Sequence, residues 1–391
     1  MASITRENRV LVRDQDPAFR LARSDGAIVY DTRGKRYIDF VMGWCVGNFG
    51  WGNPALARAA RNFRGPDYVY PGYSYEPWIE LADLLSSIAP RRGMKCFRAT
   101  GGSEAVDIAL QAAMVHTGRR RFVSLEDSYH GNTLGALSVG ASDNRDLIPN
   151  LLSGCHKIQP PLDEKALERI ERLLKGREVA AFIMEPISIN LGVLVPERAF
   201  MRELQRLCRA YGTMLIMDEV ATGFGRTGTL FATEQLGIQP DMICVAKAIT
   251  GGYGGLGATL ATGPIAKTME TSGNFYSTYG WHPRSTHVAI ATIRYIIAHR
   301  KWLLSNVSRM SERFRERLSQ IHFEYEPELR MRGLAIGVDV HDEEYASQID
   351  ERCQSAGLLI TTAGSTLMLL PPLNINRRVT EEGLEILADC V

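Results

Sequence analysis

The middle of the chain alternates short apolar runs with amphipathic stretches. KCFRAT (95–100) predicts a strand, and SEAVDIALQAAMVHTG after it a helix with Ala109, Ala112 and Ala113 on a packed face. RRFVSLE (120–126), VAAFIMEP (179–186), TMLIMDEV (213–220) and DMICVAKAI (241–249) predict further strands. Between them, DEKALERIERLLKG (163–176) sets Leu167, Ile170, Leu173 and Leu174 at helical spacing, and ERAFMRELQRLCRAYG reads as a second helix. Near-continuous apolar strands divided by helices imply an α/β fold: a mostly parallel central sheet covered on both faces. The tail differs. A long helical pattern over 285–320 gives way to shorter strands in RMRGLAIGVDV, LLITTAG and TLMLLPP, which read as a smaller α+β domain. Near the N-terminus, GAIVYDTRGKRYIDFVMGW reads as a hairpin turning at Asp-Thr-Arg-Gly. It is too short to fold alone and is expected to join the tail. The division is then a large α/β domain over 61–284 and a small one built from 1–60 and 285–391.

Composition narrows the function. The chain has 391 residues, 45% hydrophobic, with 45 basic and 44 acidic side chains and a net charge of +1. That balance offers no electrostatic case for a nucleic-acid or anionic-membrane partner. The apolar runs are too short to span a bilayer, and MASITRENRVLVRDQDP lacks the apolar centre of a secretion signal. None of the seven cysteines forms a C-x-x-C pair, so no metal site is expected, and a cytoplasmic location is.

Two charges stand out against this background. Asp218 closes one apolar run and Lys247 another, and a charge buried at a strand end is costly unless something compensates it. One economical compensation is a shared ligand with a pyridine nitrogen for Asp218 and an aldehyde for Lys247, which is the chemistry of pyridoxal 5'-phosphate. The alternatives are an ion pair of Asp218 with Arg226, or a cap, and a snorkelling Lys247. Lys247 is followed by AITGGYGGLG, whose glycines would let backbone pass close to a bulky ligand. Gly101-Gly102-Ser103 leaves a strand and opens a helix, an arrangement suited to a phosphate group; the plainer reading makes Ser103 an N-cap. Tyr129 could lie on a conjugated ring and Val220 could pack against one, although either could simply be core, and His130 reads as a satisfied interior histidine. Gly223 to Gly228 spells G-x-G-x-x-G, but mid-chain and without the strand–turn–helix context that a dinucleotide fingerprint needs.

Taken together these residues resemble the class III pyridoxal-phosphate aminotransferases of fold type I, nearest the diaminopelargonate and ω-amine transaminase branches. GKRYIDFVMGW, GNFGWGNP, ATGGSEAVDIAL, DSYHGNT, MEPI, DEVATGFGRTGTLFA, KAITGG, STYGWHP, RGLAIGVD and LLPPLNI have counterparts in order along nearly the whole chain. The resemblance implies that Lys247 bonds the cofactor and that Asp218 meets the ring nitrogen. It gives Gly101, Gly102 and Ser103 to the phosphate, Tyr129 and Val220 to the two ring faces, and Thr278 to the phosphate of a neighbouring subunit's cofactor. Trp44 would wall the substrate pocket. It also implies a homodimer with interfacial active sites, an amine donor and a carbonyl acceptor.

The sequence departs from that pattern where many members bind a substrate carboxylate. Three residues before the Pro-Pro, where they carry arginine, stands Met368; its usual glutamate partner is replaced by Asn190. The alternative arginine of the diaminopelargonate branch corresponds to Thr361, and a glutamine common in the family is Ala221. Methionine and asparagine offer no bidentate clamp. The expected activity is therefore transamination of an amine or amino-ketone whose reacting carbon bears no clamped α-carboxylate, unless Arg145 or Arg284 supplies the grip. The rival is an isomerase on the same fold, an aminomutase or amino-acid epimerase.

Overall fold

The computed structural model describes Val12 and residues 19–272 and 275–391. Its strands are β1 (Leu21–Asp25), β2 (Ile28–Asp31), β3 (Arg36–Asp39), β4 (Lys95–Ala99), β5 (Arg121–Leu125), β6 (Cys155–Ile158), β7 (Val179–Met184) and β8 (Met214–Asp218). They continue with β9 (Met242–Val245), β10 (Gly257–Ala261), β11 (Glu328–Arg332), β12 (Ala335–Asp339), β13 (Leu358–Leu359), β14 (Thr361–Ala363) and β15 (Thr366–Leu369). The central sheet has seven strands in the order β4-β10-β9-β8-β7-β5-β6. Neighbours from β9 through β6 run parallel, and β10 runs antiparallel to both β4 and β9.

Every residue of β7 is buried, as an apolar run covered on both faces requires. Alternation then sorts the side chains. Ile183 and Ile216 join the core under the helix Gly102–Thr117, while Phe182, Met184, Leu215 and Met217 join the opposite core under the helices Glu164–Lys175 and Arg198–Tyr211. The first of those two helices is capped by Asp163, whose side chain accepts from Ala166 N at 3.0 Å.

The N-terminal hairpin forms as expected. β2 pairs with β3 antiparallel, and Asp31 Oδ1 accepts from the backbone N–H groups of Arg33 and Lys35 at the turn. β3 continues into a parallel pairing with β13, Ile38 opposite Leu358, so the two ends of the chain share one sheet. A third sheet runs β11-β12-β15-β14. A 36-residue helix, Pro283–Leu318, carries buried residues along its whole length into the largest core, which also takes side chains from both small sheets.

Arg226 ties these parts together. Its guanidinium is fully buried and donates to the carbonyls of Leu334 and Pro371 and to Asn48 Oδ1. The ion pair with Asp218, one of the alternatives the sequence left open, is therefore absent. The guanidinium instead satisfies backbone acceptors from segments more than a hundred residues away. Replacing Arg226 by leucine leaves those buried acceptors unpaired, each a cost of roughly 1–3 kcal/mol. A urea denaturation curve of Arg226→Leu is expected to show a stability loss of about 3 kcal/mol, and an unchanged midpoint would contradict this role.

Candidate active site

The carboxyl ends of the parallel strands open onto one cleft of about 260 Å³, the place where open α/β sheets bind ligands. The turn after β4 brings Gly101, Gly102 and Ser103 to it, the loop after β5 brings Tyr129 and His130, and the exit from β7 brings Glu185 and Asn190. β8 contributes Asp218, Val220 and Ala221, and the residues after β9 contribute Lys247. Two of the sequence-predicted residues are not among those lining it. Thr278 is exposed away from this chain's cleft. Trp44 is partly buried against the apolar cluster that holds Met368, while Val46 lines the cleft.

Asp218 is 4% exposed, so its charge needs partners. His130 Nδ1 donates to its Oδ2 at 2.7 Å, and Val220 N donates to its Oδ1 at 3.0 Å. His130, anticipated as an ordinary interior histidine, is thus a member of the site. Its only signal in the sequence was its place in the segment DSYHGNT. Lys247 sits on a short 3₁₀ turn with φ +48°, a left-handed backbone that a non-glycine residue adopts at a cost.

Gly101 precedes the helix Gly102–Thr117 in extended backbone, with no side-chain cap. The first-turn amides of such a helix have no intrahelical partner and carry the positive end of its dipole. Ser103 does not cap them, because it lies inside the helix and its Oγ accepts from Asn132 N at 3.1 Å. Glu104 bonds back to Thr100 N and Oγ1 at 2.6 Å each. The glycines after Lys247 serve contacts within the protein as well as the cleft. A Cβ on Gly257 would stand 2.3 Å from the Gly101 carbonyl, so a glycine there is what lets β10 lie against the turn.

Glu185 is the other residue that sequence reading did not single out. It is fully buried, and its Oε1 accepts from Asn190 Nδ2 at 2.9 Å. Burial, and then the charge of Asp218, raise its carboxyl from an ordinary 4.5 to about 7. Burial and Asp218 also push the Tyr129 hydroxyl up. G-x-G-x-x-G at 223–228 forms turns between β8 and the short helix Thr233–Leu236 and opens no long helix. Among the described residues, no group of acidic, cysteine or histidine side chains could hold a metal ion.

A buried carboxylate, an amine and a helix N-terminus converging on one cleft suit a phosphorylated pyridine aldehyde. The class-III aminotransferase family model matches residues 11–391. The chain belongs to the class-III aminotransferases. This aminotransferase is 36% identical to the acetylornithine aminotransferase of Methanosarcina mazei over 94% of its own length and 90% of that relative. It is 32% identical to the 5-aminovalerate aminotransferase DavT of Pseudomonas aeruginosa, over 94% and 92%. The solved ω-transaminase of Pseudomonas jessenii in complex with PMP superposes with a TM-score of 0.91 at 26% identity, covering 98% of this chain and 96% of that one. The cofactor is pyridoxal 5'-phosphate, and the cleft residues fit it.

The aminotransferase carries no arginine among the described residues lining this cleft. Arg145 bonds the Leu152 carbonyl, and Arg284 lies over Phe63. Met368 and Thr361 are cross-strand partners in the β14–β15 pairing, so both positions where a clamp was sought fall at one place, and neither is basic.

Glu185 makes stability pH-dependent. Its carboxyl ionises near 4.5 in the unfolded chain and near 7 in the folded one. Between those values the unfolded state loses its proton first, so the contribution is full below 4.5, falls as pH rises and levels off above about 7. The expected loss is on the order of 3 kcal/mol between pH 4.5 and 7.5 for the cofactor-free protein. Glu185→Gln is expected to remove that component, read as the difference between urea midpoints at the two pH values. A mutant with the same pH slope would refute the assignment.

Proposed function

We propose that the cleft is a transaminase site in which Lys247 holds pyridoxal 5'-phosphate through its amine and, once displaced by a donor amine, carries a proton between substrate and cofactor carbons. The observation that carries the reading is the convergence of Lys247, the Asp218–His130 pair and the helix N-terminus on one cleft. The bound cofactor supplies the electron sink. Asp218 keeps the ring nitrogen protonated, and His130 holds Asp218 in place. Gly101, Gly102 and Ser103 bind the phosphate with backbone amides. Tyr129 and Val220 flank the ring. Lys247 is the general base and acid, a role worth typically 10²–10⁴-fold.

We further propose a cytoplasmic homodimer. The seven cysteines are free, and no helix among the described residues is long and apolar enough to cross a membrane. Tyr68 and Tyr279 are in ring contact, as are Tyr70 and Tyr73, and all four are exposed, as is Tyr276; exposed aromatic side chains are of the kind interfaces use. Thr278, exposed between Tyr276 and Tyr279 in the chain, would serve the partner's cofactor. Residues 61–284 would form the cofactor domain, and 1–60 with 285–391 the smaller one, a division supported by the β3–β13 pairing.

The substrate reading follows from Met368 and Asn190, with Trp44 at the edge of the pocket: an amine or amino-ketone donor with no clamped α-carboxylate. The family likeness favours transamination over the isomerase alternative. Lys247→Ala is expected to lower turnover by about 10³-fold or more. Borohydride should fix the cofactor to residue 247 in the native protein only. Rates with a panel of amines, each with pyruvate or α-ketoglutarate as acceptor, should show donors without an α-carboxylate accepted. Exclusive use of glutamate would overturn the substrate reading, and full activity in Lys247→Ala would overturn the mechanism.

A further inference from the structure

One carboxyl in the cleft takes no part in the steps above. Glu185 is 2% exposed yet lines the cavity, with Oε1 accepting from Asn190 and Oε2 from Ile189 N at 3.3 Å. Asp218, His130 and Lys247 all act on it electrostatically.

Strand order fixes the side on which it stands. Along the sheet edge the Gly101–Gly102 turn follows β4, Lys247 follows β9, Asp218 ends β8 and Glu185 follows β7. Lys247 and Asp218 therefore stand between Glu185 and the phosphate-binding turn. Consider a pyridoxal ring with its nitrogen at Asp218, its aldehyde carbon at Lys247 and its phosphate arm at that turn. The edge it has left carries the methyl group and the phenolic oxygen. That edge faces β7.

We infer that Glu185 keeps a proton and donates it in a hydrogen bond to the phenolic oxygen of the cofactor, with Asn190 and the Ile189 amide holding the carboxyl in position. This rests on the cofactor reading above. An ionised carboxylate there would set two anions against each other, whereas a neutral acid makes a charge-assisted donor. Its high proton affinity suits that role. A donor at the phenolic oxygen lowers the basicity of the oxygen and of the Lys247 nitrogen that shares its proton. The visible band of the loaded enzyme then changes form at a lower pH than it would without the donor.

The test is a pH titration of that band in substrate-free holoenzyme for the native protein, Glu185→Gln and Glu185→Leu. Glutamine still donates, and its midpoint is expected to stay near the native value. Leucine cannot donate, and its midpoint is expected to rise by about one unit, a tenfold change in proton affinity. Ala221→Gln, placed on another cleft-lining residue near Asp218, should bring the Glu185→Leu midpoint back down. A Leu variant with the native midpoint overturns the inference, and so do Gln and Leu variants shifted alike. A Glu185→Leu protein that loses its band, with no recovery on adding Ala221→Gln, assigns Glu185 to structure and also overturns it. A native protein with no visible band at all removes the cofactor reading, and this inference with it.

Discussion

Two charged side chains at the ends of neighbouring buried strands set the terms for the rest of the molecule. β8 and β9 pair in parallel with Asp218 opposite Cys244, three residues before Lys247, so both charges reach the same edge of the sheet. A buried carboxylate is expensive, and the bonds from His130 and the Val220 amide offset that cost. In the reading proposed above, the protonated ring nitrogen of the cofactor would be a further partner. Among the described residues no ion pair engages Lys247, and its left-handed backbone turns the chain at that point.

The surrounding elements hold that edge still. Glu219, next to Asp218, is fully buried and accepts from Thr222 Oγ1 and from the amides of Ala232 and Thr233. It pins the loop on which Val220 and Ala221 stand. Burial raises its carboxyl above the ordinary range, and those bonds pull it back. Arg226, farther along the same loop, ties it to Asn48 near the start of the chain and to Leu334 and Pro371 near its end. One loop therefore couples the strand that ends at Asp218 to segments from both ends of the chain.

β7, β8 and β9 were legible because each is a continuous apolar run, and the long helix because its buried positions recur through 36 residues, whereas the parallel edge strand β6, with His156 and Lys157 in it, was not anticipated. β10 was not, since its glycine-rich approach reads as loop and its strand identity comes from pairing on both sides. β13 has two residues and exists only through β3. Asp218 and Lys247 could be found because a charge at the end of an apolar run is a local anomaly. His130 and Glu185 could not, because their significance lies in neighbours brought close by the sheet, 88 residues away in the case of His130. The same blindness to long-range partners left an Asp218–Arg226 pair open as an alternative, since the three distant oxygens that hold Arg226 cannot be read from the sequence.

Specificity is separable from chemistry in this arrangement. Met368 is fully buried with Cys45, Ile189, Val193 and Ala221, and Trp44 packs against the same cluster. Asn190 spends an amide hydrogen on Glu185. The cluster around Met368 is therefore apolar, and the neighbouring Asn190 has one of its two amide N–H groups committed to Glu185. A carboxylate pressed against that cluster would shed water for at most the one remaining Asn190 N–H, an unfavourable exchange of several kcal/mol per ion. An apolar substituent would gain about 25 cal/mol for each Å² it buries there. In the substrate reading proposed above, two positions, on β15 and in the turn after β7, would redirect substrate choice while Asp218, Lys247 and the Gly101–Gly102 turn stay as they are.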